Sequence, residues 1–182
     1  MKVWSLRHPP VDRKGRCIGQ TRMETTESTL ESVEAVVADA PFVPERIFSS
    51  DLPRCARLAE GLAAHWNIEL EISASLREMS FGEWEGRSYD EIDSMDGSRW
   101  RAWCADWIHG TPPAGESAED LARRVSMWLA SRRPSSTDLL VTHAGVIRVL
   151  RVLSGESWDD AMVAQCPFLG WSEHPDIRPL TD

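Results

Sequence analysis

The 182-residue sequence has no uninterrupted apolar run longer than four residues, of which Ala35–Ala38 is one; a bilayer-spanning helix needs about 20. A membrane helix is therefore excluded. The four cysteines, Cys17, Cys55, Cys104 and Cys166, are widely separated and form no C-x-x-C pair, so neither a disulfide framework nor a cysteine zinc site organises the chain. Basic residues are also in short supply: 20 face 29 acidic ones, a net charge of −9, the wrong balance for broad contact with nucleic acid or an anionic membrane. Met1 to His8 carry charge where a secretory leader needs an apolar stretch. The expectation is a cytosolic protein without nucleic-acid or membrane partners. Its oligomeric state is left open, a homodimer being the form to test.

The chain does have material for a core. Hydrophobic residues make up 42% of it, and at this length a compact fold buries about 68–70% of the chain surface. A single domain over residues 1–182 is expected, with an insertion at about 77–116. Charge is uneven along it: six basic residues stand against Asp12 alone in residues 1–22, giving +5 there and −14 over the rest. An anion would be focused at the first of these ends.

Residues 2–7 read as a strand that stops at Pro9-Pro10, because proline cannot continue a ladder. Leu30, Val33, Val36 and Val37 recur at helical spacing within 28–40, Arg46 to Ser50 read as a strand, and Cys55, Leu58, Leu62 and Trp66 mark a helix face. Asp51 is the expected N-cap of that helix. Residues 70–76 read as a third strand. The stretch 77–116, punctuated by glycine and proline, is expected to form a cap of short helices. Ser117-x-x-Asp120 opens another helix, which Pro134 ends. Asp138–Thr142 is an apolar strand running into His143-Ala144-Gly145 and a helix, and a last strand is possible around Trp171. The alternation predicts an α/β three-layer sandwich, with a largely parallel central sheet and helices on both faces.

Three polar clusters then fall at strand carboxyl ends, where open α/β sheets bind ligands: Arg7-His8, Asp51 to Arg54, and His143 with the helix start after it. Two histidines and two arginines suit a phosphoryl group, and the amides at Ala144 add donors. In order along the chain, Leu6-Arg7-His8, Ser49-Ser50-Asp51-Leu52-Pro53-Arg54, Leu76-Arg77-Glu78 with Phe81-Gly82-Glu83-Trp84-Glu85-Gly86, Gly115-Glu116-Ser117 and Val141-Thr142-His143-Ala144-Gly145 resemble the motifs of the histidine phosphatase (phosphoglycerate mutase-like) superfamily. The segment Ala102–His109 followed by Gly115-Glu116 is similar to the cap of its alpha-ribazole phosphatase branch.

The resemblance implies a metal- and cofactor-independent phosphomonoesterase acting on a small phosphorylated substrate, alpha-ribazole 5'-phosphate or a similar ester. His8 would be the nucleophile that forms a phosphohistidine, and Glu78 the acid and base. Arg7, Arg54, His143, Ala144 and Gln20 would hold the phosphoryl oxygens. A phosphoglycerate mutase and a noncatalytic binding module that keeps the phosphate pocket are the alternatives. Two local readings stand beside these. Pro9 replaces the glycine usual after the nucleophile, so a backbone N–H is missing there. Trp100, Trp103 and Trp107, at i, i+3 and i+7, are expected to line one helix face, as packing or as a wall for a planar leaving group.

Overall fold

The computed structural model describes residues 1–180. Its strands are β1 (Val3–Arg7), β2 (Arg46–Ser49), β3 (Glu69–Ile72), β4 (Asp138–Thr142) and β5 (Trp171–His174). They form one sheet in the order β3-β2-β4-β1-β5, parallel except for β5, which runs antiparallel to β1. The helices are α1 (Thr29–Ala38), α2 (Pro53–Trp66), α3 (Tyr89–Ala105), α4 (Ala118–Arg132), α5 (Ala144–Leu153) and α6 (Trp158–Val163). Among the described residues no helix is long and apolar enough to cross a membrane.

The central strand β4 is buried at every position, as a parallel strand covered on both faces must be. Side chains alternate across it. Leu139 and Val141 join Leu6, Ile47 and the apolar faces of α1 and α2, whereas Leu140 joins Val3, Phe48 and the apolar faces of α4 and α5. This is the three-layer α/β arrangement that the sequence predicts. At one edge lies β3, Glu69-Leu70-Glu71-Ile72, where Glu71 accepts a hydrogen bond from Arg132 Nε at 2.5 Å.

Several local expectations are corrected. Asp51 does not cap α2: the cap position is Leu52, without a side-chain bond, because Arg77 takes the Asp51 carboxylate through Nε at 2.7 Å and Nη2 at 2.5 Å. The third strand is shorter than 70–76 and gives way to a 3-10 turn at Ala74–Leu76. The stretch 77–116 holds a 3-10 turn at Gly82–Trp84 and α3, two short helices joined across a kink where Asp96 leaves helical φ/ψ, in keeping with the short helices expected there. α3 ends at Ala105, so Trp107 lies beyond it and the three tryptophans do not share a helix face. The capping box at Ser117 and Asp120 is present, whereas α6 has no counterpart in the sequence reading.

Candidate active site

Parallel pairing brings three strand ends together. His8 N donates to the Thr142 carbonyl and Ser50 N to that of Val141, both at 3.1 Å, so Arg7-His8, Ser50 and His143 emerge side by side. A cavity of about 400 Å³ opens beside them, within the size range of small-molecule sites. Its polar lining includes Arg7, His8, Arg13, Arg54, Glu78 and Arg148, and its apolar wall includes Phe81, Trp103, Trp107, Trp158, Met162 and Phe168.

His8 is 5% exposed. Its Nδ1 lies 2.6 Å from the Pro9 carbonyl. A carbonyl only accepts, so Nδ1 carries the proton and Nε2 keeps a free lone pair. Burial, reinforced by the Arg54 charge, lowers the His8 pKa to about 3, and the ring is neutral at pH 7. The missing N–H of Pro9 therefore does not disturb the imidazole, because the contact made at position 9 is a carbonyl, which proline retains.

His143 lies next to His8 but is enclosed by its neighbours. It is completely buried, and it is not part of the cavity wall. Nδ1 accepts from Arg54 Nε at 3.2 Å, which leaves Nε2 to donate to Ser50 Oγ at 2.9 Å. Burial pushes its pKa well below the ordinary value, with Arg54 adding to the effect. The ring thus stands behind Arg54, its centroid 5.1 Å from that of His8.

Arg54, in the first turn of α2, also donates to the carbonyls of Thr21 at 2.9 Å and Gly19 at 2.5 Å. These bonds and the one to His143 use three of its five N–H groups, leaving two for a ligand. Arg7 donates to the Cys166 carbonyl at 2.5 Å and stacks on Phe168 with Cζ 3.8 Å from the ring centroid. Its Nε is buried without a partner.

Across the cavity, Glu78 accepts from Met79 N at 2.9 Å and, with its other oxygen, from Gly145 N at 3.1 Å. A Cβ at Gly145 would collide with Glu78 Oε1, so only glycine lets the carboxylate reach the start of α5. Ala144, at that helix start, lines the cavity. Gln20 does not: its Nε2 donates to the Glu78 carbonyl at 3.1 Å. Glu85 proves to be a clamp rather than a rival acid. It accepts from the backbone N–H groups of Gly19, Gln20, Thr21 and Phe81 and from the Thr21 hydroxyl. Burial opposes its ionisation, yet these bonds hold its pKa below the usual carboxylate value.

Trp103 and Trp107 line the cavity and Trp100 does not. Trp100 stacks on Trp103 at 5.3 Å and packs on Trp84, away from the opening. Sequence reasoning missed Arg148, Trp158, Met162 and Phe168 as cavity residues. Arg148 had a usable signal, since it stands four residues after Ala144 and so on the same face of α5. The others come from α6 and the loop after it, whose pattern is too short to read.

A neutral imidazole with a free Nε2, arginines beside it and a carboxyl group opposite form a phosphoryl-transfer site, and comparison with known proteins gives the same class. Residues 3–164 match the histidine phosphatase superfamily (branch 1), and the chain belongs to that superfamily. An adenosylcobalamin/alpha-ribazole phosphatase of Salmonella typhimurium is 29% identical over 159 residues, covering 82% of this chain and 77% of its own. A glucosyl-3-phosphoglycerate phosphatase of Mycobacterium tuberculosis is 29% identical over 161 residues, covering 80% and 71%. The solved alpha-ribazole phosphatase of Shigella flexneri superposes with a TM-score of 0.82 at 23% identity, over 95% of this chain and 89% of that one. Family and relatives together support a phosphatase acting on small phosphate esters.

Proposed function

We propose that this chain is a metal-independent phosphomonoesterase that works through a phosphohistidine at His8. The observation that carries the reading is the bond from His8 Nδ1 to the Pro9 carbonyl, which leaves Nε2 unprotonated at a cavity lined by Arg7, Arg13, Arg54 and Arg148. In the first half-reaction Nε2 bonds to phosphorus as the bond to the leaving oxygen breaks, and that oxygen takes a proton from Glu78. In the second, the Glu78 carboxylate takes a proton from water, whose oxygen displaces Nε2 and releases inorganic phosphate. The arginines stabilise charge on the equatorial oxygens, the work that metal ions do in other phosphoryl-transfer enzymes. His143 contributes by orienting Arg54.

The wall formed by Phe81, Trp103, Trp107 and Trp158 supports a leaving group with a flat apolar part. Alpha-ribazole 5'-phosphate meets that description and leads the substrate panel. The test is rapid-quench trapping with a labelled ester. A base-stable, acid-labile phosphoenzyme is expected in the wild type and none in His8→Ala, with activity unchanged by exhaustive chelation. A labelled phosphoenzyme in His8→Ala overturns the assignment. Release of inorganic phosphate separates the phosphatase from a mutase, which passes the group to an acceptor, and from a binding module, which has no turnover.

A further inference from the structure

Glu78 lies outside every helix and strand, so the position of its carboxyl group depends on what holds residues 75–80. The main holder is Arg124, on α4. Its Nη1 donates to the carbonyls of Ser75 at 2.9 Å and Arg77 at 3.1 Å, and its Nη2 to the carbonyl of Glu78 itself at 3.4 Å. The same guanidinium is fixed by Glu116 in a two-pronged pair, with Nε to Oε1 and Nη2 to Oε2 both 2.9 Å. Glu116 then reaches past Glu78 to the other side, accepting from Ser80 N through Oε2 and donating its own N–H to the Ser80 carbonyl, each at 2.9 Å. The two side chains are only 21% and 22% exposed, so solvent screens the pair far less than the exposed ion pairs of this chain.

We infer that Arg124 and Glu116 are positioning residues for the acid of the reaction: they fasten the chain on both sides of Glu78 and so set its carboxyl group against the leaving oxygen. This rests on the reading of Glu78 as that acid. Neither residue lines the cavity. Their hydrogen bonds to the site run to the segment that carries the acid, so positioning is distinguished from general support of the fold by chemistry that depends on that acid. An ester whose leaving group needs a proton feels a displaced acid, whereas p-nitrophenyl phosphate, whose phenolate leaves with little help, does not. A lysine at 124 keeps the charge but loses the planar fork that serves the three carbonyls and the carboxylate together.

The experiment compares kcat/KM on glycerol phosphate and on p-nitrophenyl phosphate for the wild type, Arg124→Lys, Arg124→Gln, Glu116→Gln and Glu78→Gln, with the thermal midpoint of each. General acid catalysis contributes roughly 10²- to 10⁴-fold, so a displaced acid should lose part of it: about tenfold on glycerol phosphate and less than about twofold on p-nitrophenyl phosphate. Equal losses on both esters, or none on either, overturn the inference. If an arginine variant does not fold, Glu116→Gln decides, because it keeps the shape of the side chain and one carbonyl acceptor. The underlying reading fails separately, when Glu78→Gln itself shows no difference between the two esters.

Discussion

His8 and Glu78 face each other across one cavity, but different kinds of structure hold them. His8 is at the end of a strand, 5% exposed, its tautomer set by the carbonyl of the next residue. Glu78 is on a segment without regular structure, and its place depends on hydrogen bonds from Arg124, Gln20 and Gly145. The strand ends obtain their geometry from the sheet, which also builds the core. The acid obtains its geometry from polar contacts that could be removed one at a time. Perturbing the strands and buried rings beneath the first region should therefore unfold the protein, whereas truncating the His8 side chain at the cavity leaves the sheet in place; perturbing the second region should impair chemistry in a protein that stays folded.

Acid is the broadest way to break the first region. His8, His143 and His174 all lie on or beside the sheet, and burial lowers their pKa values, to about 3 for His8 and about 4 for His174. In the unfolded chain they titrate near 6.5, so as pH falls from there the unfolded state binds protons that the native state refuses. Stability is full above about pH 6.5 and declines toward the folded pKa values, by up to about 1.4 kcal/mol per pH unit for each group. Denaturant midpoints measured from pH 7 to pH 4 should fall accordingly, and a flat profile would mean that these rings accept protons while folded.

Gly145→Ala tests the second region most sharply. The added Cβ meets the end of a flexible side chain, so the fold should survive with a stability change within about 1 kcal/mol. The carboxylate must move, and kcat/KM on alkyl phosphates should drop about 10- to 100-fold. Unfolding in place of this loss would show that Gly145 belongs with the sheet side of the comparison. Glu85→Gln removes the charge from a carboxylate that receives five hydrogen bonds and should cost about 1–2 kcal/mol in denaturant unfolding, loosening the 19–21 loop that Arg54 also grips. The smallest effect separates two neighbouring indoles. Trp103→Leu should lower kcat/KM on an aromatic phosphate ester about 2- to 13-fold while sparing glycerol phosphate. Trp100→Leu should leave both activities in place and lower the thermal midpoint.

The same division explains what could be read from the sequence. The strand-end clusters were legible because a strand, its terminating turn and the next helix are local patterns, and Arg7-His8, Arg54 and Glu78 do meet at one cavity. The layer to which His143 belongs was not legible, since its burial follows from Arg54 and Ser50 closing over both ring nitrogens, contacts with residues 89 and 93 positions away. Asp51 has an N-cap residue type, but tertiary contact with Arg77 claims its oxygens. The spacing of Trp100, Trp103 and Trp107 is helical on paper, and it fails because the chain leaves the helix at Asp106. Pro9 looked like a lost contact only because side-chain motifs do not record which backbone atom is used.

The edge strand β3 has a bearing on self-association. A strand with an open side offers unpaired N–H and C=O groups to any other copy of the chain. Here Glu69 and Glu71 share one face of the strand, and in a parallel, in-register pairing with a second β3 each would stand opposite its own copy, where like charges repel, although Arg132 offsets part of the charge on Glu71. The β3 edge is thus discouraged from pairing in register with its own copy in another molecule.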